Sequence, residues 1–152
     1  MDERDSPPLQ IRHFQNRDLA DVWQVASESL RERYDPTIFT QLVPFWPDGF
    51  LVIEDLGRVI AFVFGVMTGV QHARVLMLAV NSNYRGAGLG TLLTQEFFRE
   101  CAKKGVRQVS LEVRASNLAA QRFYLRLGFF NVRRVSKYYS DGEDGILLLR
   151  YL

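Results

Sequence analysis

The chain has 152 residues, 47% of them hydrophobic, which suits one domain built around one core. Its 19 basic and 17 acidic residues leave a formal charge of +2, which is too balanced to predict a nucleic-acid groove or binding to an anionic membrane surface. The single cysteine, Cys101, excludes an internal disulfide and fits a cytoplasmic protein, and no apolar run approaches the roughly 20 residues that span a bilayer.

The first half of the chain predicts two helices and four strands. Residues 1–8 are acidic and proline-bearing, so we expect a flexible tail followed by a single domain over residues 9–152. "LQIRHF" predicts the first strand, and Asn16 or Asp18 can cap a helix over "LADVWQVASESLRER". Pro36 suits the first turn of a short helix over "PTIFTQLV". "FLVIE" and "VIAFVFGVM" flank "DLGR", which predicts a hairpin. "VLMLAV" is an apolar run of strand length.

The second half predicts two more helices and three more strands. A glycine-rich turn leads into a helix from about Thr91 to Lys104, and "QVSLEVR" alternates as a strand does. "SNLAAQRFYLRLG" predicts a helix capped by Ser116 or Asn117 and ended by Gly128. "NVRRVSKYY" and "ILLLRYL" predict the last two strands, around the turn "SDGEDG". The order indicates a mixed α/β domain.

The glycine-rich turn is a candidate anion site. The first amides of a helix lack partners, the helix dipole is positive at that end, and glycine lets an anion approach the backbone. Thr91 and Leu92 after Gly90 exclude the P-loop pattern, and Thr91 also stands where a dinucleotide fingerprint needs its third glycine. What remains is Arg85-x-x-Gly88-x-Gly90, which fits either a phosphate site or a tight turn without a ligand.

A second group of polar residues follows. Glu112 lies near the end of a predicted strand, opposite its apolar neighbours, and Asn117 and Tyr124 share one face of the next helix. Each also has a purely structural interpretation. Glu112 can be a solvated strand residue, Asn117 an N-cap and Tyr124 a core aromatic. Tyr138 and Tyr139 alternate across a predicted strand, so one of them can be core and the other site, and we favour Tyr139.

These two motifs together carry a family resemblance. "VNSNYRGAGLG" followed by "LEVRASNLAAQRFYLRLGF" resembles the Gcn5-related N-acetyltransferases (GNAT), and most of all the subgroup that acetylates protein N-termini, with the ribosomal-protein alanine and archaeal Ard1-type enzymes. The resemblance covers nearly the whole chain. It implies the acyl-CoA N-acyltransferase fold, a mixed, mostly antiparallel seven-stranded sheet flanked by four helices. The chain departs at Gly145, where the subgroup commonly has alanine, and we expect this to affect only the turn.

The resemblance also implies acetyl-CoA as acetyl donor and a set of site residues. The strand "MLAV" would splay from its neighbour, pair with the pantetheine arm and lead into the loop that holds the pyrophosphate. The implied cofactor-binding residues are Leu78, Ala79, Val80, Arg85, Gly86, Ala87, Gly88, Leu89, Gly90, Asn117 and Tyr124. The implied substrate-binding residues are Tyr34, Tyr138 and Tyr139.

The chemistry requires an amine with a free lone pair beside a thioester. An α-amino group has a pKa of about 8 and a lysine about 10.4, which favours an N-terminal amine as acceptor. Glu112, acting through a water, is the candidate general base, and Tyr124 is the candidate acid for the departing thiolate. Backbone N–H groups near Leu78 and Val80 would stabilise the oxyanion.

Three functions are compatible with these residues. An N-terminal α-amine acetyltransferase leads, because a slot lined by tyrosines suits a peptide. A lysine or small-molecule amine acetyltransferase is the second, although no clear acidic cluster stands near the first helices. A non-catalytic CoA-binding regulatory module is the third, and the presence of Glu112 and Tyr124 disfavours it.

The expected partners are protein N-termini or short peptides. A ribosome or auxiliary subunit, and a monomer or weak homodimer, are compatible with the sequence. His13 and His72 have no cysteine or acidic partner at ligand spacing, so we expect no metal.

Overall fold

The computed structural model describes residues 9–30 and 35–152, so the predicted tail and Tyr34 lie outside the described residues. The helices and strands follow the predicted order. They are β1 (Gln10–His13), α1 (Leu19–Ser29), α2 (Thr37–Leu42), β2 (Phe50–Asp55), β3 (Arg58–Gly69), β4 (His72–Val80), α3 (Leu89–Lys103), β5 (Gln108–Arg114), α4 (Leu118–Arg126), β6 (Phe130–Val135) and β7 (Gly145–Tyr151).

The strands form one seven-stranded sheet in the order β1-β2-β3-β4-β5-β7-β6. Strands β1 and β2, β2 and β3, β5 and β7, and β6 and β7 pair antiparallel, whereas β4 and β5 pair parallel. The parallel pair follows from the helix α3 that connects its strands. With four α-helices in the described part of the chain, this is the mixed, mostly antiparallel fold that the resemblance implies. None of the described helices is both long and apolar enough to cross a bilayer.

The chain forms two compact units, and each is described by itself. The first runs up to Val66 and resumes over Leu76–Glu100. Its core is dominated by phenylalanines: the Phe39 ring is fully buried, 5.6 Å from the Phe50 ring and 5.5 Å from the Phe64 ring. The core residues are Val22, Val25, Ala26, Phe39, Phe50, Val52, Val59, Phe62, Phe64, Met77 and Ala79. This core fixes the last residues of β4, and therefore the start of the glycine loop.

The second unit comprises Met67–Val75 and Cys101–Leu152. On β5, Val109, Leu111 and Val113 are buried, as the alternation predicts. The opposite face is covered as well, because Ser110 is only 8% and Arg114 only 9% exposed. Glu112 therefore lies on a largely covered face.

The end of β6 differs from the prediction. The strand stops at Val135, so the expectation that Tyr138 and Tyr139 alternate across a strand is wrong. Asp144 accepts hydrogen bonds from the Lys137 amide at 2.9 Å and from Arg134 Nε at 2.6 Å, and Lys137 has a φ of +51°. These contacts turn the chain away from the sheet, so both tyrosines lie in the loop before β7. The prediction of a single domain over residues 9–152 stays a prediction.

Candidate active site

The glycine loop, residues 85–88, leads directly into α3. Gly86 and Gly88 both have a φ of +80°, which an L-residue adopts only with strain. The Leu92 amide donates to the Gly88 carbonyl at 3.0 Å, and the helix begins at Leu89. It starts two residues before the predicted Thr91, so Leu89 and Gly90 belong to the first helical turn.

Hydrogen bonds anchor the start of the loop to the first unit. The Tyr84 hydroxyl donates to Asp55 Oδ2 at 2.5 Å, and this bond together with burial raises the pKa of Tyr84. Arg85 Nε donates to the Val80 carbonyl at 3.2 Å. The Val80 carbonyl also accepts from Ser29 Oγ at 3.4 Å, so this acceptor is already used within the protein.

The amides of the loop and of the first helical turn are available as donors. From Gly86 to Thr91, the amides have no acceptor among the residues that the structure describes. The first turn of α3 also carries no acidic residue that would repel an anion. Consecutive donors at a positive helix end are suited to a phosphate group.

The pairing between β4 and β5 is short. The ladder covers His72–Arg74 against Gln108–Ser110, although β4 continues to Val80 and β5 to Arg114. Leu78, Ala79 and Val80 lie at the end of β4, beyond the three residues of this ladder.

Glu112 is not a freely solvated strand residue. Its side chain is 16% exposed, its Oε2 accepts from Arg74 Nε at 2.9 Å, and Arg74 Nη2 lies 2.8 Å from the same oxygen in the ion pair. The ladder pairs Arg74 with Ser110, which places Arg74 diagonally across from Glu112 on the same face of the sheet. Sequence reasoning missed Arg74. In the sequence, Arg74 stands out only as a charged residue near the start of the mostly apolar strand β4.

Tyr138 joins this pair from the loop before β7. Arg74 Nη2 donates to the Tyr138 hydroxyl oxygen at 2.6 Å. A Cβ on Gly145 would lie 3.1 Å from Tyr138 Cδ1, closer than ordinary van der Waals contact. The expectation that Gly145 affects only the turn is therefore wrong, because its missing Cβ accommodates the Tyr138 ring.

Tyr139, the tyrosine that the sequence favours, packs on a different residue. The Arg114 guanidinium carbon lies 4.2 Å from the Tyr139 ring centroid. Arg114 Nη1 also donates to Asp141 at 2.8 Å and to Glu143 at 3.0 Å. Hydrogen bonds from Ser116 and then from Arg114 lower the pKa of Glu143. Arg114 therefore organises this loop.

Asn117 and Tyr124 each have a structural role and also carry a polar group suited to the reaction. Asn117 Oδ1 accepts from the Ala120 amide at 3.0 Å, which confirms the N-cap and uses the oxygen rather than the NH₂ group. Tyr124 is 8% exposed and packs edge-on against Phe123 and Phe129. Burial raises the pKa of Tyr124, so its phenol keeps a proton to donate.

One cluster elsewhere in the first unit was not foreseen. His13 Nε2 lies 3.8 Å from Asp48 Oδ1 and 3.4 Å from Glu100 Oε1, although their spacing in sequence gives no sign of it. The three side chains can form ion pairs when the histidine is protonated, and the absence of a metal stays a prediction.

An acidic cavity of about 260 Å³ lies beside α1, which corrects the expectation that no acidic cluster stands near the first helices. Its lining residues are Asp21, Gln24, Val25, Glu28, Asp55, Leu56, Arg58, Val59, Ile60, Asn81 and Tyr84.

Comparison with known proteins identifies the family. Residues 15–129 match the model of the acetyltransferase (GNAT) family. The chain belongs to the GNAT family. The N-alpha-acetyltransferase 30 of Schizosaccharomyces pombe is 32% identical over 142 residues, which cover 91% of this chain and 95% of that protein.

Two solved structures extend the comparison. Ard1 from Thermoplasma volcanium superposes with a TM-score of 0.92 at 32% identity, covering 96% of this chain and 99% of that one. The ribosomal-protein-S18-alanine N-acetyltransferase from Escherichia coli superposes with a TM-score of 0.81 at 27% identity, covering 94% and 93%. The predicted family and subgroup resemblance are confirmed, and the chain is an acetyltransferase that uses acetyl-CoA as its donor.

The chemistry of this GNAT chain fits that donor. The amides from Gly86 to Thr91 suit a diphosphate, because they have no acceptor among the described residues. Within the second unit, the structure brings Glu112, Arg74 and Tyr138 together.

Proposed function

We propose that this enzyme transfers the acetyl group of acetyl-CoA to the N-terminal α-amine of cytoplasmic proteins or short peptides. The run of amide donors from Gly86 to Thr91, which have no acceptor in the described part of the chain, carries the cofactor assignment. The relatives named N-alpha-acetyltransferase 30 and Ard1 support an α-amine as acceptor.

The glycine loop binds the diphosphate of acetyl-CoA. The amides of residues 86–90 donate to its oxygens, and Arg85 adds positive charge. The pantetheine arm pairs with the backbone of Leu78–Val80, at the end of β4. Asn117 donates from its NH₂ group, since its oxygen caps α4.

The transfer moves one proton from nitrogen to sulfur. Glu112 accepts the amine proton through a water as the N–C bond forms and the C–S bond breaks. Tyr124 protonates the departing thiolate, and the proton that Glu112 gained balances the one that Tyr124 lost. Backbone N–H groups near Leu78 and Val80 stabilise the oxyanion. No covalent enzyme intermediate is needed.

The acidic cavity does not favour a polycationic small molecule. Asp21 accepts from the Val59 amide at 3.1 Å and lies 3.4 Å from Arg58. Asp55 accepts from Tyr84, and Glu28 accepts from Gln24 at 3.2 Å. Because each carboxylate has a partner inside the chain, a lysine or small-molecule amine remains the weaker alternative.

A peptide panel tests the acceptor. Peptides that differ only in their first residue, the same peptides with a blocked N-terminus and one internal lysine, and a polyamine are each incubated with acetyl-CoA. We expect CoA release and a mass increase only with a free α-amine. Faster acetylation of the blocked lysine peptide or of the polyamine would contradict the proposal, and no CoA release from any acceptor would indicate a binding module.

Glu112→Gln tests the base. We expect kcat to fall about 10²- to 10⁴-fold, while the affinity for acetyl-CoA measured by calorimetry is unchanged. Glu96→Gln on α3 is the matched control, since Glu96 forms an i,i+3 ion pair with Arg99 on the same helix. Equal turnover of both variants between pH 6 and 9 would rule out Glu112 as the base.

A further inference from the structure

The contact between Arg74 and Glu112 places the two oxygens of the carboxylate in different surroundings. Arg74 Nε donates to Oε2 at 2.9 Å, and Arg74 Nη2 lies 2.8 Å from the same oxygen as its ion-pair partner. Oε1 has no hydrogen-bond donor among the residues that the structure describes. One oxygen is therefore fixed by a cation, and the other is left to accept a proton.

We propose that Arg74 is a positioning residue for this reaction, which holds the Glu112 carboxylate by Oε2 so that Oε1 serves as the base. The inference rests on the proposed function, because it assumes that Glu112 removes the amine proton. Arg74 acts through Glu112 and touches neither reactant.

The chemistry of the pair requires arginine rather than any cation. A guanidinium is planar and presents its N–H groups in a fixed fork, so Nε can donate to Glu112 while Nη2 donates to Tyr138. A lysine ammonium keeps the charge but lacks that fixed geometry. The Arg74 side chain is 34% exposed, so its replacement does not open a buried cavity.

Tyr138 and Gly145 complete the arrangement. Arg74 Nη2 donates to the Tyr138 oxygen at 2.6 Å, which is a second restraint on the guanidinium. The Tyr138 ring lies against Gly145, where an added Cβ would approach Cδ1 to 3.1 Å and Cβ and Cγ to 3.2 Å. An alanine at residue 145 displaces the ring and loosens the hold on Arg74.

Steady-state kinetics with the best peptide acceptor test the proposal. Arg74→Met should lower kcat about ten- to hundredfold, the loss that follows when a reacting group is misplaced by about 1 Å. The KM values for acetyl-CoA and for peptide should change less than about twofold, because only the chemical step needs the oriented base. Arg74→Lys should recover part of kcat. Arg58→Met, which removes another exposed arginine paired with a carboxylate, is the control and should leave kcat unchanged.

A double-mutant cycle separates this inference from the proposed function. In a Glu112→Gln background, Arg74→Met should cause no further loss, because there is no base left to position. Additive losses, or a raised peptide KM with unchanged kcat, would overturn the inference while leaving Glu112 as the base. An unchanged kcat in Glu112→Gln alone would overturn the proposed base itself.

Chemical rescue gives an independent readout. Methylguanidinium added to Arg74→Ala should raise kcat, whereas the same addition to Arg58→Ala should have no effect. Gly145→Ala should also lower kcat, but by less than Arg74→Met does. In the Arg74→Met background, Gly145→Ala should cause no further loss of kcat. A failure of rescue together with full activity of Gly145→Ala would overturn the positioning role.

Discussion

Replacing Gly88 with alanine tests whether the glycine loop binds the cofactor or only turns the chain. Gly88 has a φ of +80°, and a Cβ built there has no atom within 4 Å, so packing adds nothing to the cost. The left-handed backbone alone costs an L-residue about 1–2 kcal/mol. For a chain of this size, each kcal/mol lowers Tm by roughly 2–4 °C, so we expect a decrease of about 2–8 °C.

Gly105 provides a matched control. It has a φ of +79° and equally open surroundings, but it follows the end of α3 instead of preceding its start. Gly105→Ala should therefore lower Tm by a similar amount. Only Gly88→Ala should weaken acetyl-CoA binding, because a methyl group at the loop holds the phosphate away from the amides.

The expected size of this effect follows from the bonds that are lost. A hydrogen bond to a charged group contributes about 1.5–3 kcal/mol, so losing one weakens binding about ten- to 150-fold. Calorimetric titration with acetyl-CoA measures this directly. If Gly88→Ala and Gly105→Ala bind acetyl-CoA equally well, the loop is only a turn and the diphosphate lies elsewhere.

Two further predictions concern a helix cap and an acid-sensitive contact. Asn117→Ser keeps a capping oxygen but removes the NH₂ donor, so Tm should be unchanged while KM for acetyl-CoA rises about three- to tenfold. Asn117→Ala removes the cap as well, so it should also lose about 1 kcal/mol of folding stability. Burial raises the pKa of Asp18, but hydrogen bonds from Arg12 and the Gln15 amide outweigh it and lower the pKa overall. The stability that Asp18 contributes is present above its unfolded pKa of about 3.9 and is lost as pH falls through the lower folded value. Urea denaturation of Asp18→Asn should show lower stability at pH 7 and a weaker decline below pH 4.

The sequence alone determined the elements and the family. The hairpin at "DLGR" depends only on neighbouring residues: Leu56 and Gly57 adopt positive φ values of +51° and +78°, which the two-residue turn needs. The cap at Asn117 and the start of α3 beside the glycines are local in the same sense. Because these signals are encoded within a few residues, the sequence predicted the order of the elements, and the resemblance of its motifs implied the GNAT fold and acetyl-CoA.

Only the tertiary structure decided the partners of the site residues. Glu112 meets Arg74, 38 positions earlier in the chain, and Arg74 meets Tyr138, 64 positions later. These contacts depend on the register between β4 and β5 and on where β6 ends, and no local pattern fixes either. For the same reason the sequence did not show which residue meets Arg74, and it gave no sign of the grouping of His13, Asp48 and Glu100. Backbone conformation is set by adjacent residues, whereas a side-chain pair across a sheet exists only after the strands have aligned.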